Sequence, residues 1–444
     1  MIFGMPKRLM FGYLSIAIFM TGDGFDLTFL AKYLADEKGF GVGVAGLAFS
    51  LYGLLGAVAA WTTGVIADII GAKRLMLVGG VLWITLHLVF ITIGIGDATL
   101  AILTYGLRGI AYPLFMYGFV VLIMETVEPG GRASAMGWFW TCFSFGLGVV
   151  GAFIPSLTIP LLGSYGTLWL ALAFTGAGTL LCLFLVPNPA PAAAHGHKLS
   201  GAERRRELLR GVTIMIEKPQ ISLAVFLRVL CNLTLYGFPL FMPLYLTGSD
   251  QITGSLPWFS EVEWIQIWTV QATTCLVMNV VWGRLGDRYG WLRQMRWFGF
   301  GGMALTVLAF FYFPQVFGGS FLMMCVAAVM FGCSVCAFVP MAAIFPAIAP
   351  EHPGAAISAH NLGGGLTTFM GPAIFTLMYP LIGMTGVIWT YVALLLIGVV
   401  GTFFIHPPQP GITDDEGHVL PRAERARLRK EHAVHPETRT VPLH

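Results

Sequence analysis

Gly64-Val-Ile-Ala-Asp68-Ile-Ile-Gly71-Ala-Lys73-Arg74 recurs 219 residues later as Gly283-Arg-Leu-Gly-Asp287-Arg288-Tyr-Gly290-Trp-Leu-Arg293. A second echo stands at nearly the same distance, Phe29-Leu-Ala-Lys-Tyr33-Leu34 against Phe241-Met-Pro-Leu-Tyr245-Leu246, 212 residues apart. Two echoes at nearly one offset mark an internal repeat of half the chain. Each copy of the longer motif directly follows an apolar run. In membrane proteins, a half-chain repeat is the signature of a carrier whose halves rock about a site at the bilayer midplane.

The rest of the sequence agrees with that setting. Of 444 residues, 57% are hydrophobic and 11% charged, against roughly 25% charged in soluble proteins, which excludes a soluble globule. A helix needs about 20 apolar residues to cross a bilayer. Runs of that length fall at 10–34, 44–66, 74–95, 98–124, 133–157 and 164–186 (spans 1 to 6). Six more fall at 220–246, 260–283, 293–313, 319–348, 354–379 and 385–405 (spans 7 to 12). The fold expected is an all-α polytopic membrane protein of twelve transmembrane helices in two pseudo-symmetric six-helix bundles, residues 1–186 and 220–405. Residues 187–219 form the linker, a Pro/Ala stretch followed by a basic patch, and 406–444 form a tail. In the tail, residues 414–416 are acidic and 421–430 basic, which reads as solvated or as touching anionic lipid.

Of the 25 lysines and arginines, 21 fall in six groups on one side of these spans: the N-terminus, the loops after spans 2, 4 and 8, the linker and the tail. The positive-inside rule puts both termini and the linker in the cytoplasm of an inner-membrane protein. The net charge of +3 arises in these connecting segments and gives no support to nucleic-acid binding. Lys7 and Arg8 precede a run that contains carboxylates and lacks a small-residue cleavage site, so the N-terminus reads as a first transmembrane helix. All seven cysteines lie in apolar segments, where a free thiol behaves as a small hydrophobe. Cys333 and Cys336 form a CxxC without a second pair or a histidine, so no metal or cofactor is expected. HExxH, GxSxG and paired histidines on one face are absent, and the chain is not read as an enzyme.

The G-x-x-x-D-x-x-G-x-K/R pattern after span 2, with its copy after span 8, resembles the major facilitator superfamily over residues 8–405. The resemblance implies that Gly64, Asp68, Gly71, Arg74, Gly283, Asp287 and Gly290 form gating motifs. Their glycines would allow close helix approach, and their aspartates would cap a helix or pair with arginine in one state of the cycle. A narrower resemblance rests on Phe19-Met-Thr-Gly22-Asp23-Gly24-Phe-Asp26 in span 1, Leu103-Thr-Tyr105-Gly-Leu-Arg108-Gly109-Ile-Ala-Tyr112-Pro113-Leu-Phe115 in span 4 and Gly137-Trp138-Phe139-Trp140 in span 5. Together these are similar to the polyol permeases, which carry pentitols such as ribitol and arabinitol. The resemblance implies a proton-coupled polyol importer working by alternating access as a monomer. Arg108-Gly109 also matches a span-4 arginine motif that the superfamily ties to proton coupling.

Ionisable groups within spans cost at least about 2.5 kcal/mol on insertion scales and mark function by default. Asp23, Asp26, Arg108 and Arg228 qualify. At 1.5 Å rise per residue, Asp23 lies near the midplane, Asp26 roughly 6 Å and Arg108 roughly 4 Å outside it, and Arg228 roughly 7 Å inside. Asp23 and Asp26 share a helical face, flanked by Gly22 and Gly24. The expectation is that Arg108 pairs with one carboxylate while the other carries the coupled proton; a static ion pair is the competing account. His87, alone on apolar span 3, reads as hydrogen-bonded packing. A polyol needs several hydrogen-bonding groups and an aromatic surface. Candidates for substrate contact are Asp23, Asp26, Arg108, Tyr112, Trp138, Arg228, Asn232, Tyr236, Gln271, Asn279, His360 and Asn361, with Gln271 and Asn279 placed on a similar face by their eight-residue spacing. Pro113 and Pro340 are expected to mark kinks. Two membrane carboxylates suit either H+ or Na+, with H+ favoured because no carbonyl-rich ion site stands out. The alternative within the same fold is a carrier of a small organic anion, with Arg108 and Arg228 as its ligands.

Overall fold

The computed structural model describes residues 5–127, 132–187, 212–409, 412–414 and 420–421. Among these, nine helices are long and apolar enough to cross a membrane: Lys7–Glu37, Val42–Thr63, Ala72–Gly96, Ala98–Thr126, Ser134–Leu185, Pro219–Leu246, Trp291–Phe317, Phe321–Ile348 and Ala355–Gly401. Ser134–Leu185 breaks at Gly163 (φ 70°) and Ala355–Gly401 at Gly383 (φ 64°), so each supplies two spans. Glu261–Tyr289, richer in polar residues, is the remaining span, number 8. The twelve helices expected from the apolar runs are therefore all present. Most of the linker and most of the tail lie outside the described residues.

The helix ends follow from local chemistry. Asp97 opens span 4 by accepting from the Thr99 and Leu100 amides at 2.9 and 3.0 Å, and Ser260 with Glu263 forms a capping box at the start of span 8. Gly71 (φ 91°) and Gly290 (φ 107°) close spans 2 and 8 in a conformation that side chains with a Cβ rarely adopt. These are the last glycines of the two motif copies. The Gly163 and Gly383 breaks, 220 residues apart, carry nearly the same repeat offset.

Spans 1, 4, 7 and 10 share a feature: each is interrupted. Span 1 divides at Phe25, between Met10–Gly24 and Asp26–Lys32. Span 4 divides at Gly109 and Ile110, span 7 at Asn232, and span 10 over residues 337–340, ending in Pro340. Pro113 sits in the first turn after the span 4 break, where its missing N–H costs little. Helices interrupted at mid-depth are tolerated where they line a polar cavity, and they recur as the equivalent first helices of three-helix repeats in transporters.

Span 1 packs against spans 5 and 6, span 2 against span 11, and span 5 against span 8. The approach to span 6 is close enough that a Cβ on Gly22 would lie 2.6 Å from the Ala171 carbonyl oxygen.

In each half, the chain leaving the sixth span folds back onto the motif loop. Lys73 Nζ donates to the carbonyls of Leu183 (3.0 Å) and Val186 (2.6 Å). In the second half, the buried Gln409 accepts from the Trp291 amide at 2.8 Å and donates to the Gly286 carbonyl at 3.0 Å. Gln409→Ala removes both bonds. It is expected to cost about 1–3 kcal/mol, read as a lower Tm of the purified protein; an unchanged Tm would show that this contact carries no stability.

Candidate functional site

A cavity of about 320 Å³ lies between the two halves. The first half lines it with Asp23, Tyr52, Tyr105, Tyr112, Tyr117 and Trp140, and the second with Arg228, Asn232, Tyr236, His360, Asn361 and Thr368. Its size is that of a small-molecule site, and its walls combine aromatic faces with a few convergent polar groups. Tyr52 stacks on Tyr112 with ring centroids 5.6 Å apart and 7° between planes, and on Tyr105 at 5.0 Å.

Behind the first-half wall, the guanidinium of Arg108 pairs with Asp26, each residue 1% exposed. Arg108 also meets His87, which is fully buried. Because a guanidinium only donates, His87 Nδ1 must accept there. Nε2, 3.0 Å from the Leu168 carbonyl oxygen, then carries the ring hydrogen, so His87 is neutral. The guanidinium carbon lies 4.5 Å from the Tyr105 ring centroid and 4.7 Å from that of Trp83, cation–π distances on two sides. One guanidinium thus ties span 1 to spans 3 and 4.

Asp23 is placed differently. It is 7% exposed, lines the cavity, and accepts on Oδ1 from Trp83 Nε1 at 2.6 Å and from Tyr52 Oη at 3.2 Å. Both donors are neutral, and among the described residues no cationic group lies within 4.0 Å of its carboxylate. Arg228, across the cavity, likewise has no carboxylate within that distance. Its Nη1 reaches Cys231 Sγ at 3.2 Å.

The structure brings Asp23, Tyr112, Arg228, Asn232, Tyr236, His360 and Asn361 to one cavity and sets Asp26 and Arg108 behind it. Gln271 and Asn279 do not join them: Gln271 is buried, donating to Cys275 Sγ at 3.1 Å, and Asn279 is exposed. Eight residues turn a helix about 80° beyond two full turns, enough to separate their faces. Trp138 also lies off the cavity wall, and Trp140, two residues on, lines it. Arg74 is exposed, and Gly283 is half-buried. The surroundings of Gly64 and the side chains of Asp68 and Asp287 lie outside what is described. His87 was expected only as hydrogen-bonded packing and Tyr105 only as part of the span 4 motif, while Trp83 and Tyr52 were not singled out by sequence, though two spacings carried a signal. Tyr105 is three residues from Arg108, and Trp83 four from His87, so each pair shares a face.

At the end of the cavity away from the motif loops the halves are bonded together. Lys32 pairs with Glu261 at 3.2 Å and donates to Thr247 Oγ1 at 2.6 Å, Ser249 Oγ donates to Asp36 at 2.6 Å, and Trp264 Nε1 donates to the Thr28 carbonyl at 2.9 Å.

Comparison with known proteins follows the same lines. The family model described as Major Facilitator Superfamily matches residues 10–262 and 259–435. The chain belongs to this superfamily. It is 43% identical to the D-arabinitol transporter of Klebsiella pneumoniae over 95% of this chain and 97% of that protein. It is 42% identical to the ribitol transporter of the same organism, over 94% and 96%. In fold it is similar to the crystal structure of a D-xylose-proton symporter, with a TM-score of 0.71, 11% identity and coverage of 93% and 100%. The sequence resemblance to polyol permeases is therefore shown by relatives spanning nearly the whole chain, and this superfamily protein is an integral membrane transporter.

Proposed function

We propose that this transporter imports a polyol, a pentitol by preference, by proton symport through alternating access. The observation that carries the reading is the division of labour between two carboxylates: Asp26 is held by Arg108, while Asp23 faces the cavity with neutral donors only. Its Oδ2 is the atom assigned to take the proton, because Oδ1 is occupied by Trp83 and Tyr52. Arg108, fixed by Asp26 and His87, holds a constant positive charge behind the site and keeps Asp23 able to ionise once the proton leaves. A charged Asp23 inside the membrane is costly, so the occupied site moves between states most readily when Asp23 is protonated or when substrate hydroxyls donate to its carboxylate.

The stacked tyrosines offer the substrate's CH face an aromatic wall, and Arg228, Asn232, Tyr236, His360 and Asn361 offer hydroxyl partners from the second half. Relatives named for D-arabinitol and ribitol support the pentitol assignment. The bonded outer end, joining spans 1, 7 and 8 through Lys32, Glu261 and Thr247, supports reading this structure as the state closed to the outside. Opening would part those bonds while the motif loops after spans 2 and 8 draw together. The same reading includes two six-helix bundles at 1–186 and 220–405, a cytoplasmic linker and tail, both termini in the cytoplasm of an inner membrane, and a monomer that uses no cofactor.

Proteoliposomes in weak buffer test this directly. Addition of ribitol or arabinitol is expected to raise the external pH as protons enter with substrate, without Na+ and without response to a dicarboxylate. Silence to every pentitol with a response to the dicarboxylate would replace the substrate class and leave the fold untouched.

A further inference from the structure

Formal charges are distributed unevenly around the cavity. Arg108 is neutralised by Asp26 outside the cavity wall, which leaves one anion, Asp23, and one cation, Arg228, on facing halves. Arg228 is the less satisfied of the two. Among the described residues it has no carboxylate within 4.0 Å, and its Nε is buried without a hydrogen-bond partner. Its Nη1 has Cys231 Sγ, a weak acceptor, at 3.2 Å and, with the Asn232 amide oriented to satisfy both neighbours, the Asn232 oxygen at 3.1 Å. Span 11 makes room for the head group: a Cβ on Gly364 would lie 2.9 Å from Arg228 Nη2. His360 and Asn361, on the same span, line the cavity beside it.

A guanidinium in a membrane cavity, poorly paired and presenting a planar fork, is a carboxylate receptor. With Asp23 protonated, the cavity carries a net positive charge, and an anionic substrate cancels it. From Arg228 and its surroundings we infer that the cavity also takes aldonates, polyhydroxy carboxylates that are pentitols with one terminal carbon at the acid level. The carboxylate sits on the Arg228 fork and the hydroxyl chain runs toward Asp23 and the tyrosine wall. This rests on the proposed polyol reading for the hydroxyl end of the site and extends it at the other. Aldonate, like the polyol, would enter with the proton on Asp23.

Binding to the purified full-length protein, followed by titration calorimetry with arabinitol, ribitol, arabinonate, ribonate and acetate, tests the inference. Arabinonate or ribonate is expected to displace the pentitol, and acetate is not. Arg228→Gln is expected to weaken aldonate at least tenfold more than pentitol, with Arg228→Lys between, because an ammonium keeps the charge and loses the fork. Equal weakening of both ligand classes would mean that Arg228 does not single out a carboxylate and would overturn the inference, as would failure of aldonates to displace pentitol from the unaltered protein or equal displacement by acetate. If the Gln variant does not fold, the Lys variant and the competition on unaltered protein decide alone. Pentitol binding without aldonate binding would sink this inference and keep the polyol reading; aldonate binding without pentitol binding would do the reverse.

Discussion

Asp23→Asn is expected to abolish uphill accumulation of pentitol in proteoliposomes while exchange of labelled for unlabelled substrate continues at a reduced rate. Asparagine has nearly the shape of the carboxylate, and its amide oxygen can accept from Trp83 and Tyr52, the two donors on Oδ1. What it cannot do is change charge. With one proton per substrate, each unit of pH difference sustains about a tenfold concentration ratio, the factor equivalent to one pK unit. The Asn variant should therefore fall from that ratio to equality, an effect of about tenfold per imposed pH unit. Its exchange should also lose dependence on pH, because the permanently neutral side chain imitates the protonated state. Retained accumulation in Asp23→Asn would remove Asp23 from the coupling step and turn attention to Asp26. Loss of exchange together with accumulation, in protein of normal folded yield, would make Asp23 a substrate ligand only.

How far the sequence reaches can be judged from particular residues. Span limits were readable because a bilayer forces every backbone polar group into a helix of fixed minimum length; the expected break between 157 and 164 meets Gly163, and that between 379 and 385 meets Gly383. The interruptions at mid-depth were only partly visible. Gly24 and Gly109 adjoin two of them and Pro340 belongs to a third, but span 7 divides at Asn232 without a neighbouring glycine, where nothing local announces it. The site was harder still. His87 was expected as hydrogen-bonded packing, which its bonds fit, but its partners were not visible: Arg108 and Leu168 are 21 and 81 residues away, and helical periodicity reports only on neighbours three and four residues apart. The same limit explains Gln271 and Asn279: polarity at a plausible depth does not say which way a helix is turned. Depth alone placed Asp26 and Arg108 at nearly one level, where the structure pairs them, because in hydrocarbon a charge must find a partner at its own level.

Asp26→Asn and Arg108→Gln, each alone, are expected to lower the folded yield and stability of the protein sharply. Removing one member of a buried ion pair strands the other, at a cost of about 3–5 kcal/mol. The double variant is expected to recover much of that loss, since two neutral amides need no counter-charge and can hydrogen-bond to each other. The pair is itself imperfectly satisfied: Asp26 Oδ1 and Arg108 Nε are buried without hydrogen-bond partners among the described residues. Its net contribution to stability is accordingly small, although breaking it is expensive. Thermal unfolding of the two single variants and the double variant makes a double-mutant cycle, and a coupling energy near zero would show that the residues contribute by packing alone. If the double variant folds but no longer accumulates pentitol, stability is excluded as the reason the pair exists. The Arg108 charge behind Asp23 then has one remaining use, which is to let a carboxylate buried at the centre of a membrane ionise at the point in the cycle where its proton must leave.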